Sequence, residues 1–215
     1  MPLDIKICGL STPETVAAAL DGGATHVGFI FFPKSPRNVT PELARRLREA
    51  AAGRAQAVAV TVDADDAFLD GIVAAMQPDM LQLHGHETPA RVGEVRERYK
   101  LPVMKALSIS ASADLLHVAA YANIADRLLL DAKPPAGSDL PGGNGVSFDW
   151  RLLAALDPGL DYLLSGGLNA GNVADALRIA NPPGIDVSSG VELAPGVKDV
   201  GLIAAFFAAV RAARG

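Results

Sequence analysis

Short runs of β-branched and other apolar residues alternate with helix-patterned stretches from one end of the chain to the other, and this alternation limits the possible folds more than any other feature. Several runs are apolar on consecutive residues, which is typical of parallel strands covered on both faces. We predict eight strands, over residues 3–8, 25–31, 57–62, 80–84, 103–107, 127–131, 162–165 and 185–188.

The helices between these strands have recognisable ends. Thr12, Thr40 and Thr88 each precede a proline. A threonine hydroxyl can cap free amides at a helix start, and proline suits the first helical position. The last helix is predicted over 199–213, where apolar residues recur at helical spacing. We expect it to bury Val200, Ile203, Phe206, Phe207 and Val210.

Regular alternation predicts parallel strands joined by right-handed crossovers. Eight such units in 215 residues fit a closed (β/α)₈ barrel, the α/β fold called the TIM barrel, as a single domain over residues 1–215. The alternative is an open, doubly wound sheet. That fold usually carries a G-x-G-x-x-G turn after its first strand, whereas the turn here is Cys8-Gly9-Leu10-Ser11. We therefore predict the barrel.

The composition argues against several classes of partner. The net charge is −5, without a lysine or arginine cluster, which disfavours a nucleic-acid partner. The longest apolar stretch, over 200–210, is shorter than the roughly 18 residues of a membrane span. Asp4 and Lys6 interrupt the first apolar run, unlike a secretory signal, and the single cysteine cannot form an intramolecular disulfide. We expect a cytoplasmic protein that binds neither membranes nor nucleic acid.

Active sites of such barrels lie at the carboxyl ends of the strands. That rule selects Cys8, His84 and Asp131, which end the first, fourth and sixth strands, and Arg37 in the loop beyond the second strand. A thiolate can remove a proton from carbon where neighbours stabilise it. The apolar run before Asp131 favours a protonated carboxyl group, so the two residues could form an acid–base pair.

Each of these residues also has a plainer interpretation. A lone cysteine is usually a small buried apolar residue. Asp131 could cap a loop through backbone amides, Arg37 could be a solvated loop arginine, and His84 could orient a substrate or bond nearby backbone. His84-Gly85-His86 has no further ligand at the spacing of a zinc site, so we expect no metal.

Two small-residue turns follow the seventh and eighth strands, and a long loop follows the sixth. Ser165-Gly166-Gly167-Leu168 and Ser188-Ser189-Gly190 leave backbone amides accessible, which predicts a phosphate site at Gly166, Gly167, Ser188, Ser189 and Gly190. The loop over 132–147 is rich in proline and glycine and longer than a usual βα loop. It is either a lid over the site or a flexible insertion.

Short motifs stand at almost every strand end and span nearly the whole chain. They are Lys6-Ile7-Cys8-Gly9, Gly28-Phe29-Ile30-Phe31, Pro33-Lys34-Ser35-Pro36-Arg37, Leu81-Gln82-Leu83-His84-Gly85, Leu130-Asp131, Gly142-Gly143-Asn144-Gly145, Phe148-Asp149-Trp150, Ser165-Gly166-Gly167-Leu168, Asp186-Val187-Ser188-Ser189-Gly190-Val191-Glu192 and Pro195-Gly196-Val197-Lys198-Asp199. Each motif alone is weak, but together and in this order they resemble the phosphoribosylanthranilate isomerase family.

The resemblance implies an Amadori rearrangement of N-(5-phosphoribosyl)anthranilate in tryptophan biosynthesis. Asp131 matches the general acid that opens the furanose ring, and Cys8 matches the general base that removes the C2 proton. Arg37 matches the residue that holds the anthranilate carboxylate, and the two small-residue turns match the phosphate site. No cofactor or metal is implied, because the iminium withdraws electrons from C2. The partner is this small phosphorylated substrate, and monomer and homodimer both stay open.

Two departures and two rivals accompany this resemblance. Asn144 stands where the family usually has threonine, which bears on the lid, and Asp63 departs from the commoner Val-Asn pattern. The isomerase of histidine biosynthesis performs the same rearrangement with two aspartates, and Cys8 argues against it. A barrel that binds sugar phosphates for regulation would bind product without turnover, which the presence of both proposed catalytic residues disfavours.

Overall fold

Eight parallel strands close into one barrel in the order β1 to β8 in the computed structural model of the protein, which describes residues 2–138 and 140–215. The barrel closes because β1 pairs with both β2 and β8. Every strand lies within two residues of its predicted bounds. Because the sheet is closed, the predicted barrel is confirmed and the alternative of an open sheet is wrong. The strands are β1 (Asp4–Cys8), β2 (His26–Phe31), β3 (Gln56–Thr61), β4 (Met80–Leu83), β5 (Val103–Ile109), β6 (Arg127–Ala132), β7 (Tyr162–Leu164) and β8 (Gly184–Val187).

Helices surround the barrel between these strands. The hydroxyls of Thr12, Thr40 and Thr88 each accept a bond from the amide three residues on, which confirms the predicted caps. A 3₁₀ helix, Trp150–Ala155, takes the place of an α-helix between β6 and β7. The α-helices are α1 (Pro13–Gly22), α2 (Pro41–Ala51), α3 (Asp66–Met76), α4 (Pro89–Tyr99), α5 (Leu115–Tyr121), α6 (Val173–Ala180) and α7 (Val200–Arg214).

Helix α7 packs along α1 and covers the seam where the barrel closes. Its residues Ile203, Phe206, Phe207 and Val210 are buried, as predicted. The predicted burial of Val200 is wrong: this side chain is 48% exposed, because it lies in the first turn, at the end of the helix. None of the described helices combines the length and the apolar character needed to cross a membrane.

The barrel encloses side chains that alternate along each strand. Its interior holds a small apolar cluster, while the larger core lies between the strands and the helices. The interior cluster comprises Cys8, Val58, Val60, Met80, Met104, Ala106, Leu129 and Leu163. Because side chains on a strand alternate between faces, Lys6 shares the inward face of Cys8.

A short antiparallel hairpin follows β8 and was not predicted. A 3₁₀ turn, Ser189–Val191, leads into β9 (Glu192–Ala194), which pairs with β10 (Val197–Lys198). The hairpin places Glu192 and Lys198 beside the open end of the barrel, where they become part of the site described next.

Candidate active site

A cavity of about 740 Å³, including its open mouth, lies at the carboxyl end of the barrel. This is the end at which barrel enzymes hold their active sites. Eight of the nine predicted site residues line the cavity, and Gly190 is the exception. The eight are Cys8, Arg37, His84, Asp131, Gly166, Gly167, Ser188 and Ser189.

Cys8 reaches the cavity from the end of β1 and carries a free thiol. It is only 5% exposed, as the plainer interpretation of a lone cysteine expects, yet it also borders the open cavity. Burial raises the pKa of the Cys8 thiol, the ammonium of Lys6 works against that rise, and the carboxylate of Asp186 adds to it. In the free protein the neighbours therefore stabilise the thiolate only in part.

Lys6 and Asp186 form a buried ion pair beneath Cys8. The Lys6 Nζ donates to Asp186 Oδ1 at 2.8 Å, and the hydroxyl of Ser165 donates to Asp186 Oδ2 at 3.1 Å. Burial alone would lower the pKa of Lys6, but the adjacent Asp186 outweighs burial and raises it, so Lys6 is a lasting positive charge. Neither residue was among the predicted site residues. The available signal was a charged residue on the inward face of an apolar strand.

Asp131 presents one carboxylate oxygen to the backbone and the other to His84. Its Oδ1 accepts from the Ala132 amide at 2.9 Å, while Oδ2 lies 3.4 Å from His84 Nε2. The plainer interpretation of Asp131 therefore accounts for one oxygen and leaves the other in the cavity wall. The Gln82 amide donates to His84 Nδ1 at 2.9 Å, which directs the ring's other nitrogen at Asp131.

His86 points away from this pair. It is exposed, and its Nδ1 lies 3.0 Å from Asp63 Oδ2. Within residues 2–138 and 140–215, histidine, cysteine, aspartate and glutamate side chains form no group of three or more that could hold a metal ion.

Arg37 is buried, so its interpretation as a solvated loop arginine is wrong. Only 4% of the residue is exposed. Its Nε and Nη2 donate to the two carboxylate oxygens of Glu192 at 2.7 and 2.8 Å, and Nη2 also donates to the Gly143 carbonyl at 3.3 Å. One edge of the guanidinium is therefore already occupied by a protein carboxylate, and Nη1 is the end left toward the loop.

Glu192 and Lys198 connect Arg37 to Cys8, and neither was among the predicted site residues. Lys198 Nζ donates to Glu192 Oε1 at 2.6 Å and to the Ser188 carbonyl at 3.0 Å. The Ser188 hydroxyl in turn donates to the Cys8 carbonyl at 3.1 Å. Burial would raise the pKa of Glu192, but its bonds to Arg37 and Lys198 prevail and lower it, so the carboxylate stays charged.

The two small-residue turns lie side by side at the rim. Gly166 and Gly167 both have positive φ, 94° and 62°, which favours glycine. Gly190 does not line the cavity: a Cβ there would lie 1.8 Å from the Leu168 carbonyl oxygen, so this glycine lets the two turns approach each other. Its participation in anion binding remains a prediction.

The loop after β6 lies across the mouth of the cavity, as the lid interpretation expects. Residues 140–146 all line the cavity, while Asp139 lies outside the described residues. A Cβ on Gly167 would lie 2.8 Å from the Val146 carbonyl, so the loop rests on the β7 turn. The Asn144 amide donates to the Leu140 carbonyl at 3.1 Å and its oxygen accepts from Ser138 at 2.9 Å, which folds the loop on itself.

Comparison with known proteins places similarity along nearly the whole chain. The family model described as N-(5'-phosphoribosyl)anthranilate (PRA) isomerase matches residues 5–209. A curated N-(5'-phosphoribosyl)anthranilate isomerase from Mesorhizobium japonicum is 72% identical over 214 residues, covering 100% of this chain and 98% of the relative.

Solved structures give the same result. The crystal structure of phosphoribosyl anthranilate isomerase from Thermotoga maritima is similar with a TM-score of 0.88 at 33% identity, covering 98% of this chain and 100% of that chain. A structure of phosphoribosyl anthranilate isomerase in complex with reduced 1-(o-carboxyphenylamino)-1-deoxyribulose 5-phosphate has a TM-score of 0.85 at 32% identity, with coverage of 98% and 100%. The similarity therefore extends over nearly the whole of this chain.

Proposed function

This chain belongs to the N-(5'-phosphoribosyl)anthranilate isomerase family and is an isomerase of tryptophan biosynthesis, and we propose that Asp131 and Cys8 are its general acid and general base. The reaction is the Amadori rearrangement of N-(5-phosphoribosyl)anthranilate to 1-(2-carboxyphenylamino)-1-deoxyribulose 5-phosphate. The observation that carries the proposal is that one cavity gathers a carboxyl group, a thiol, a buried arginine and two small-residue turns.

Asp131 begins the reaction as the acid. It gives a proton to the furanose ring oxygen, the C1–O bond breaks, and the nitrogen lone pair forms the iminium. The Asp131 Oδ2 edge supports this role, because it borders the cavity while Oδ1 is held by the Ala132 amide. His84, 3.4 Å away, fixes the orientation of that edge.

Cys8 completes the reaction as the base. Its thiolate takes the proton from C2, the C–H electron pair forms the C1–C2 double bond, and the iminium π electrons return to nitrogen. The resulting enolamine tautomerises to the ketone. A sulfur base at the end of β1 faces the same cavity as Asp131, so one sugar can meet both groups without moving far.

The remaining wall suits the two anionic ends of the substrate. Arg37 is the cation for the anthranilate carboxylate. The apolar side chains of Ile30, Phe32 and Val62 line the same cavity and can pack against the aromatic ring of the substrate. The β7 and β8 turns offer backbone amides to the phosphate at the rim. We assign the protein to the cytoplasm, because a reducing compartment keeps a free thiol such as that of Cys8 from oxidation.

A direct assay tests this function. Purified protein is given N-(5-phosphoribosyl)anthranilate, and the loss of anthranilate fluorescence is followed with time. We expect turnover with this substrate and none with the phosphorylated aminoaldose used by the isomerase of histidine biosynthesis. Binding of a reduced product analogue without any turnover would instead support a regulatory sugar-phosphate barrel and overturn the proposal.

A further inference from the structure

Two lysines are almost completely buried in the strands of this barrel, and they face different surroundings. Lys6 pairs with Asp186 at 2.8 Å, and Lys105 pairs with Glu87 at 2.7 Å. Lys105 lies on the outward face of β5, where it also donates to the carbonyl oxygens of Leu83 and Gly85. These bonds indicate that Lys105 has a structural role, in which it holds the loop after β4 to β5. Lys6 lies inside the barrel, beneath the cavity.

Lys6 also lies beside the thiol of Cys8, two residues away on the inward face of β1. The ammonium and the thiol attract each other electrostatically. The facing residue on β2 is Gly28, where a Cβ would lie 3.0 Å from Cys8 Sγ and 3.2 Å from Lys6 Cε. A residue without a side chain at this position therefore leaves room for the two groups to meet.

The charges of Lys6 and Asp186 have opposite effects on the ionisation of the Cys8 thiol. A buried thiolate is costly unless a cation lies next to it, and an adjacent cation favours the charged form. Lys6 supplies that cation on the strand of Cys8 itself. Asp186, which also borders the cavity, draws on the same cation and disfavours a second negative charge nearby. Lys6 and Asp186 thus affect the thiolate with opposite sign.

We propose that Lys6 is the counter-ion that keeps Cys8 available as a thiolate base, and that Asp186 limits this effect by sharing the ammonium. The inference rests on the proposed function of Cys8 as the base. It makes Lys6 a positioning residue, which acts on the reaction through Cys8.

Two other cations face Cys8 and have other partners. Lys198 on β10 and Arg37 beyond β2 both interact with the thiol through space. Each is already bonded to the carboxylate of Glu192, at 2.6 and 2.7 Å. His26 lies in register with Lys6 on β2 and is a further titratable group near this lysine. Lys6 differs from both in lying on the strand of Cys8 itself, where its Cε and the Cys8 Sγ border the same space left by Gly28.

The test follows the ionisation of the thiol itself. Cys8 is the single cysteine of the chain, so the ultraviolet absorbance of its thiolate can be titrated with pH. Subtraction of the same titration for Cys8→Ser removes the contribution of the tyrosines. We expect Lys6→Met to reduce the thiolate fraction at a fixed pH by at least about tenfold. Lys105→Met, which removes an equally buried ion pair, should leave the thiol titration unchanged.

Asp186→Asn provides the opposite shift. Removing the competing carboxylate should increase the thiolate fraction at the same pH, and this variant decides the question even if Lys6→Met does not fold. Lys6→Arg, which retains the positive charge, should titrate closer to wild type than Lys6→Met does. An unshifted titration in Lys6→Met, or the same shift in Lys105→Met, overturns the inference; so does an unshifted titration in Asp186→Asn.

Turnover separates this inference from the proposed function. If Cys8→Ser retains wild-type turnover, the role of Cys8 as base is wrong, whatever the titrations show. If Cys8→Ser is inactive while the thiol of Lys6→Met titrates as in wild type, the inference about Lys6 alone is wrong. We expect the dependence of kcat/KM on pH to shift in Lys6→Met in the same direction as its thiol titration.

Discussion

The carboxylate of Glu192 holds Arg37 along one edge of its guanidinium, with Nε 2.7 Å from Oε1 and Nη2 2.8 Å from Oε2. The two residues are 155 positions apart in the sequence and are both almost fully buried. This two-point contact fixes the plane and the direction of the guanidinium. In the proposed role of Arg37, a substrate carboxylate would meet the Nη1 end, which the loop residue Gly143 also approaches.

Glu192→Gln should weaken binding of the anthranilate end of the substrate. The amide replaces one of the two acceptor oxygens with an NH2 donor, so the two-oxygen contact with Arg37 is lost and the guanidinium loses its fixed direction. We expect KM to rise by at least about tenfold, since small misplacements of binding groups are costly, while kcat changes less. Steady-state kinetics with N-(5-phosphoribosyl)anthranilate measures both values.

A matched control is Glu49→Gln, because Glu49 also pairs with an arginine but on the exposed surface of α2. It should leave KM unchanged. If Glu192→Gln lowers kcat and leaves KM at its wild-type value, Glu192 does not act through the binding of the substrate carboxylate.

Asp131→Asn and Cys8→Ser should each reduce kcat by at least about 10²-fold, the lower range for a positioned acid or base. Asparagine cannot donate the proton that opens the ring, and serine is a far weaker acid than cysteine and provides almost no alkoxide. Asp126→Asn serves as the control, because Asp126 precedes β6 at the other end of the barrel and pairs with Arg96. Wild-type turnover in either active-site variant removes that residue from the mechanism.

The strands and the cavity residues were accessible from the sequence for different reasons. Strand ends are visible because an apolar run stops at a polar or small residue, as at Cys8 and Asp131. The rule that barrel sites lie at those ends then selects the candidates. Arg37 illustrates the limit of position. Its loop alone favoured a solvated residue, although its guanidinium fits a carboxylate or a phosphate, and the family resemblance then matched it to the anthranilate carboxylate.

Contacts between distant parts of the chain were not accessible. The pairing of Arg37 with Glu192 spans 155 positions, and that of Lys6 with Asp186 spans 180. No periodicity connects such positions, because each depends on closure of the barrel. Val200 shows a related limit, since helical spacing predicts its face but not that solvent reaches the first turn.

Gly142→Ala should impair catalysis without unfolding the barrel. A Cβ at this position would lie 2.7 Å from both Asp131 Oδ2 and His84 Nε2, so the loop must move or the two side chains must separate. We expect kcat/KM to fall by about tenfold or more, because the acid loses its orientation. Thermal unfolding should change little, since the loop lies outside the core.

The control for this variant is Gly71→Ala on α3, where a Cβ would meet no atom within 4 Å. Alanine there should leave kcat/KM unchanged and stabilise the protein by roughly 0.5–1 kcal/mol, the usual gain for a helix interior. Full activity of Gly142→Ala contradicts a close approach of the loop to the acid.

Lys105→Met should destabilise the protein by about 3–5 kcal/mol, because it leaves the buried carboxylate of Glu87 without its cation. Denaturant unfolding measures this loss. Lys100→Met is the matched control, since Lys100 pairs with Glu97 on the exposed end of α4, where solvent screens the charges, and the loss there should be far smaller. Equal losses for both variants contradict a structural anchor at Lys105.

Stability should fall on mild acidification because of His26, which is 5% exposed near the amino end of the barrel, with its Nδ1 2.7 Å from the Thr25 hydroxyl. Burial lowers the pKa of His26 from 6.5 to about 4. Between these values the unfolded chain binds a proton that the native protein does not. The associated stability is therefore complete above pH 6.5, is lost as the pH falls toward about 4, and changes no further below that. The shift corresponds to about 3 kcal/mol.

Urea unfolding of wild type and His26→Gln at several pH values isolates this contribution, because the carboxylates contribute equally to both proteins. The difference between the two unfolding free energies should shrink across this window as the pH falls, and a difference that stays constant contradicts a neutral buried histidine.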